Sequence, residues 1–90
     1  MVMFMYNLQD ALHAALILGV DFYNFSPEDF LNGINIEMEH GTVNKETNVT
    51  NDNLIMTAKI ALAHLNEFPN YYNKEYGLGK FEEFLKSKLK

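Results

Sequence analysis

The sequence predicts an all-α fold: a compact bundle of four to five helices packed around one central apolar helix. Three observations carry the prediction. Residues 54–68 (LIMTAKIALAHLNEF), wound at about 100° per residue, put apolar side chains around most of the circumference. Only Lys59, Asn66 and the small Ala63 share an outward strip, the pattern of a helix covered on several sides. Ser26-Pro27-Glu28-Asp29 is a helix start, with Ser at the N-cap, Pro at the first helical position and acids in the first turn. No second convincing strand accompanies the one segment that alternates.

In chain order, Met1 to Tyr6 is an apolar lead-in. Asn7 caps the first helix with Asp10 three residues on. Leu8, Ala11, Leu12, Ala15, Leu16 and Gly19 define its inner face, and Gly19 ends it. His13 lies on the polar side and reads as solvated. The second helix runs from Pro27 to about His40 and stops at Gly41, with Phe30, Ile34, Glu37 and Met38 along its inner stripe. Residues 34–40 (INIEMEH) also alternate as a half-buried strand would, which would turn His40 inward and both glutamates outward; the cap at Ser26 favours the helix. Residues 42–53 read as a polar loop, and Thr50 or Asn51 caps the central helix. Pro69 ends that helix and opens a short fourth one containing Tyr71 and Tyr72, closed by Gly77. After Gly79, Phe81, Phe84 and Leu85 define a last amphipathic helix whose lysines suit its C-terminal dipole.

Composition narrows the function. Ninety residues with 48% hydrophobic content make a single domain with a small core. There is no cysteine, so no disulfide, thiolate nucleophile or thiolate metal site. Before Lys45 stand six acids and no Lys or Arg; from Lys45 onward seven lysines face six acids, so the halves carry −6 and +1. With no arginine and a net charge of −5, nucleic acid is not an expected partner. The uncharged start lacks the basic region of a secretory signal, and the first apolar run is broken by Asp10 and His13, far short of a membrane span. The expectation is a soluble cytoplasmic protein, with a protein partner or self-association open.

Two short spacings could carry chemistry: Glu37-x-x-His40 and His64-x-x-Glu67. Each sets a carboxylate and an imidazole on adjacent turns of one helix face. If the second and central helices pack antiparallel, Glu37 approaches Glu67 and His40 approaches His64. One reading is a closed Glu/His hydrogen-bond network that fixes the helices in a structural or protein-interaction module. The alternative is a zinc or iron site on Glu37, His40, His64 and Glu67, serving a metal-dependent hydrolase or oxidase; Glu-x-x-His on a bundle helix is half of a di-iron set. Tyr71 and Tyr72 read as core or rim aromatics. Nothing suggests a Ser nucleophile or a phosphate loop.

Three separated blocks, GINIEMEHGT, NVTND and TAKIALAHLNEFPNYY, carry a resemblance. Their E-x-E-H-G, Thr/Asp-rich and K-I-A-x-A-H-L-x-E…P-x-Y-Y patterns resemble a family of small uncharacterised bacterial and phage proteins, a domain of unknown function. The match spans residues 30–72. The resemblance implies an all-helical domain and marks Glu37, Glu39, His40, His64, Glu67, Tyr71 and Tyr72 as motif positions; it implies no activity.

Overall fold

The computed structural model describes residues 5–43, 46, 53–73, 75 and 77–89, without the side chains of 40–43. Among the described residues four helices follow one another: α1 (Leu8–Leu18), α2 (Pro27–Val43), α3 (Leu54–Glu67) and α4 (Leu78–Lys86). Among the described residues there is no strand, so the alternating 34–40 segment is helical. The fold is all-α.

The starts of α1, α2 and α3 each have a local cause. The Asn7 side chain accepts from the Asp10 amide, and the Asp10 carboxylate accepts from the Asn7 amide, both at 2.9 Å. Ser26 and Asp29 repeat that reciprocal arrangement at the head of α2, each pair satisfying amides that the helix leaves unpaired. Gly19 closes α1 in the left-handed region at φ 73°, which costs a residue without a Cβ little. Two boundaries depart from expectation. α2 continues past Gly41 to Val43, and α3 is capped by Asn53, whose side chain accepts from the Met56 amide, two or three residues later than Thr50 or Asn51.

α1, α2 and α3 all pack against one another, with the broadest contact between α2 and α3. The shared core holds Phe25, Phe30, Ile34, Ala58, Ala61, Leu65 and Tyr72. α3 buries Thr57, Ala58, Ala61 and Leu65 and leaves Lys59, Ala63 and Asn66 outside as expected, with Met56 also half out. α1 differs from expectation. It turns Ala11, Ala14 and Ala15 inward, while Leu8 and Leu12 are left partly exposed and Leu16 stands 81% exposed. Small side chains let the α1 backbone approach α2 and α3 closely, and this packing outweighs the greater hydrophobicity of the leucine stripe.

Two contacts seat the ends of α1. Asn35, buried on α2, accepts from the Tyr6 amide at 2.8 Å and donates to the Tyr6 carbonyl at 3.1 Å. Phe22, at φ 55°, holds a left-handed conformation that is strained for an aromatic residue. Its ring packs edge-on against Phe25 and Phe30 with centroids 6.0 and 5.9 Å away, contacts that offset the strain. Among the described residues no helix is long and apolar enough to cross a membrane.

Candidate functional site

The described residues from 69 to 73, with 75 and 77, form turns rather than the short helix expected from Pro69. The Tyr71 amide donates to the Phe68 carbonyl and the Asn73 amide to Asn70, each at 2.9 Å, and the Gly77 amide to Asn73 at 2.8 Å. Gly77 is the residue this wrapping requires. A Cβ there would lie 2.5–2.6 Å from the Asn73 nitrogen and the Tyr71 and Asn70 carbonyls, all backbone atoms that cannot step aside. The turn is tied to α2 by the Asn32 side chain, whose Nδ2 donates to the Tyr72 carbonyl at 3.3 Å. Gly33, one turn before Glu37, makes room for the Tyr72 ring: a Cβ at Gly33 would stand 2.6 and 2.8 Å from its Cε2 and Cδ2.

These constraints deliver one phenol between two helices. The Tyr72 hydroxyl donates to Glu37 Oε2 at 2.6 Å. His64 Nδ1 lies 3.0 Å from the same hydroxyl and 3.2 Å from the same carboxylate oxygen. Tyr71 stacks on the imidazole, with centroids 4.3 Å apart and planes 15° apart, and meets Tyr72 edge-on. Tyr72 is 4% exposed, and the side chains of Glu37 and His64 are 13% and 37% exposed.

Counting hydrogens assigns the roles. A phenol has one proton to donate, and the short contact to Glu37 uses it. Nδ1 must then be a donor, so His64 is either the Nδ1–H tautomer or the imidazolium, with its other ring nitrogen pointing away. No side-chain nitrogen or oxygen among the described residues is buried without a partner. Burial, the bond to Glu37 and the charge of that carboxylate push the Tyr72 hydroxyl far above its ordinary pKa of 10.0. Burial, then Glu37, Glu82 and Glu67, raises Tyr71 as well. Both phenols thus stay protonated at neutral pH; Tyr72 is a fixed donor and not a base or nucleophile.

The candidate residues are placed as follows. Glu37 and His64 meet directly, the register of α2 on α3 setting Glu37 opposite His64 rather than opposite Glu67. Glu67 and Glu39 are exposed. The side chain of His40 lies outside the described residues, and among those described no group of three or more His, Asp or Glu could hold a metal ion. His13 is exposed. Tyr72 is the member that reading the sequence underrated. A glycine in mid-helix one turn from an inward glutamate, which costs about 1 kcal/mol relative to alanine, was the available signal of a close approach there.

A protein family described as "Protein of unknown function (DUF5661)" matches residues 11–83, a stretch that contains all of Glu37, His64, Tyr71 and Tyr72. The chain belongs to this family. No curated protein and no solved structure matches it. In this DUF5661 chain the site is therefore read from its own geometry.

Proposed function

We propose that the chain is a small structural or protein-interaction module in which the Glu37–Tyr72–His64 network locks the turn that carries Tyr72 onto the α2–α3 pair. The observation that carries the reading is closure: Tyr72 gives its only proton to Glu37, and His64 Nδ1 completes the triangle. Charge-assisted bonds of this kind fix the relative position of the elements that bear them. In this reading α3 is the central element, since it carries both His64 and the fully buried Leu65. The module works in the cytoplasm on protein rather than nucleic acid, in keeping with a net charge of −5 and no arginine.

Thermal melts of the wild type and of His13→Ala, His40→Ala and His64→Ala, each with Zn²⁺, with Fe²⁺ and with chelator, test it. The expected result is a wild-type melting temperature indifferent to all three additives and a His64→Ala protein that melts well below the wild type. A zinc or iron site on Glu37, His40, His64 and Glu67 would instead raise the wild-type melting temperature with the logarithm of free metal. That gain would fade as pH falls and the imidazoles protonate. It would vanish in His40→Ala and His64→Ala and persist in His13→Ala. That pattern would overturn the network reading.

A further inference from the structure

We propose that Asn32 is a modification site: when α2 opens, its side chain reacts with the backbone amide that follows, and the aspartyl and isoaspartyl products keep the turn from seating again. Asn32-Gly33 is the one place in the sequence where glycine follows asparagine. After every other asparagine stands a residue with a Cβ, which hinders attack by its amide nitrogen; at Gly33 there is none. The pair is also built into the fold. Asn32 Nδ2 holds the Tyr72 carbonyl at 3.3 Å, and Gly33 gives the Tyr72 ring its space. The two residues that seat the turn are the two that react.

In the step itself the Gly33 nitrogen gives its proton to hydroxide and attacks Asn32 Cγ. The new N–Cγ bond closes a five-membered imide, the Cγ–Nδ2 bond breaks, and ammonia leaves. Water then opens the imide. Addition at Cγ gives aspartate, addition at the Asn32 main-chain carbonyl gives isoaspartate, and nothing is oxidised or reduced. The folded chain opposes the attack in several ways. Asn32 lies inside α2, where ψ is about −42°, and the imide needs a ψ far from that value. The helix engages each interior amide with the carbonyl four residues earlier. Gly33 is buried beneath the Tyr72 ring, out of reach of base in the solvent. The reaction therefore waits on opening of α2. Either product then acts against reclosure. The Nδ2 donor becomes a carboxylate oxygen facing the Tyr72 carbonyl, two acceptors with no hydrogen between them. Isoaspartate also routes the main chain through Cγ, which adds a methylene to α2 between the Ser26 cap and Glu37 and breaks the helical register. The inference uses the seating of the turn by Asn32 and Gly33 and none of the bonds of the Glu37 network, so the two readings fail separately.

Tandem mass spectrometry on the full chain, aged near pH 9 in native buffer and in guanidinium chloride above the unfolding midpoint, tests the proposal. In denaturant the conversion of amide to acid should concentrate at Asn32, and Gly33→Ala should remove most of it. In native buffer the same conversion should be at least about tenfold slower, since only opened molecules react. Leu65→Ala, folded or not, should speed the native-buffer reaction by about tenfold or more, while leaving the rate in denaturant unchanged. Chain aged in denaturant and then refolded should melt below chain refolded at once, and this loss should be absent from Gly33→Ala. Equal rates in native buffer and denaturant overturn the proposal, as does conversion in denaturant spread over the other asparagines or indifferent to Gly33→Ala. A native-buffer rate that Leu65→Ala leaves unchanged also overturns it. So does an aged, converted chain that refolds to the full melting temperature, because the modification would then leave the turn able to seat.

Discussion

Tyr72→Phe isolates the network, because it removes one oxygen and leaves the ring against Gly33. The lost bond is charge-assisted and nearly dry, with the donor 4% exposed and the acceptor side chain 13% exposed. Hydrogen bonds to charged groups contribute about 1.5–3 kcal/mol, so the variant should be less stable by about that amount near pH 8. For a domain of this size that is a fall of about 6–24 °C in melting temperature. Alkaline pH supplies a second, independent readout. The Tyr72 pKa is raised in the folded chain, whereas in the unfolded chain it is near 10. The native state therefore holds more protons above pH 10. The contribution is fully present below pH 10 and is lost as pH rises toward the folded value, by about 1.4 kcal/mol per unit. At pH 11.5 the wild type should have lost about 2 kcal/mol that Tyr72→Phe does not lose, and the gap between them should nearly close. Urea denaturation of both proteins from pH 8 to 11.5 measures this, and the other tyrosines cancel in the comparison. Equal stabilities at pH 8, or a gap that stays constant with pH, would refute the assignment of Tyr72 as a buried donor to Glu37.

Three further substitutions probe what surrounds the site. Gly33→Ala should lower stability by up to about 2 kcal/mol, because overpacking the Tyr72 ring costs about 1–3 kcal/mol against about 1 kcal/mol gained in helix propensity; chemical denaturation should show no loss once Tyr72 is also alanine. Leu65→Ala, at a fully buried position, should cost about 2–5 kcal/mol, whereas Lys59→Ala on the exposed strip should change stability by no more than about 0.5 kcal/mol. Similar urea midpoints for these two would contradict the placement of α3. Asn35→Ala should cost about 1–3 kcal/mol, as the Tyr6 backbone groups lose their partner.

What could be read from the sequence divides along a physical line. Local signals came through. The caps at Asn7 and Ser26 and the left-handed stop at Gly19 each depend on residues within a turn of one another, and helical periodicity put Glu37 and His64 on inward faces. Non-local packing did not come through. α1 offers two stripes at the same spacing, and hydrophobicity favours Leu8, Leu12 and Leu16 where close backbone approach favours Ala11, Ala14 and Ala15. The meeting of Glu37 with His64, rather than with Glu67, depends on the depth at which α2 lies on α3, set by Gly33, Ala61 and the Tyr72 ring together. Tyr72 reaches that point only because Gly77 lets the turn close on its own backbone. A proline after a helix gives no hint of such a closure.

The pair of bonds between Asn35 and Tyr6 makes one amide a gauge of motion. Tyr6 precedes the first helix, and an amide at such a position ordinarily exchanges with solvent hydrogen as fast as the chain end frays. Here its proton is held by a side chain 29 residues away, on the helix that also carries Glu37. For that proton to exchange, the leading segment must lift away from α2. Its deuteration rate, followed at a single resonance, therefore reports how often the segment opens. Comparing it with the core amides of α3 would show whether α1 detaches by itself or only when the whole domain unfolds.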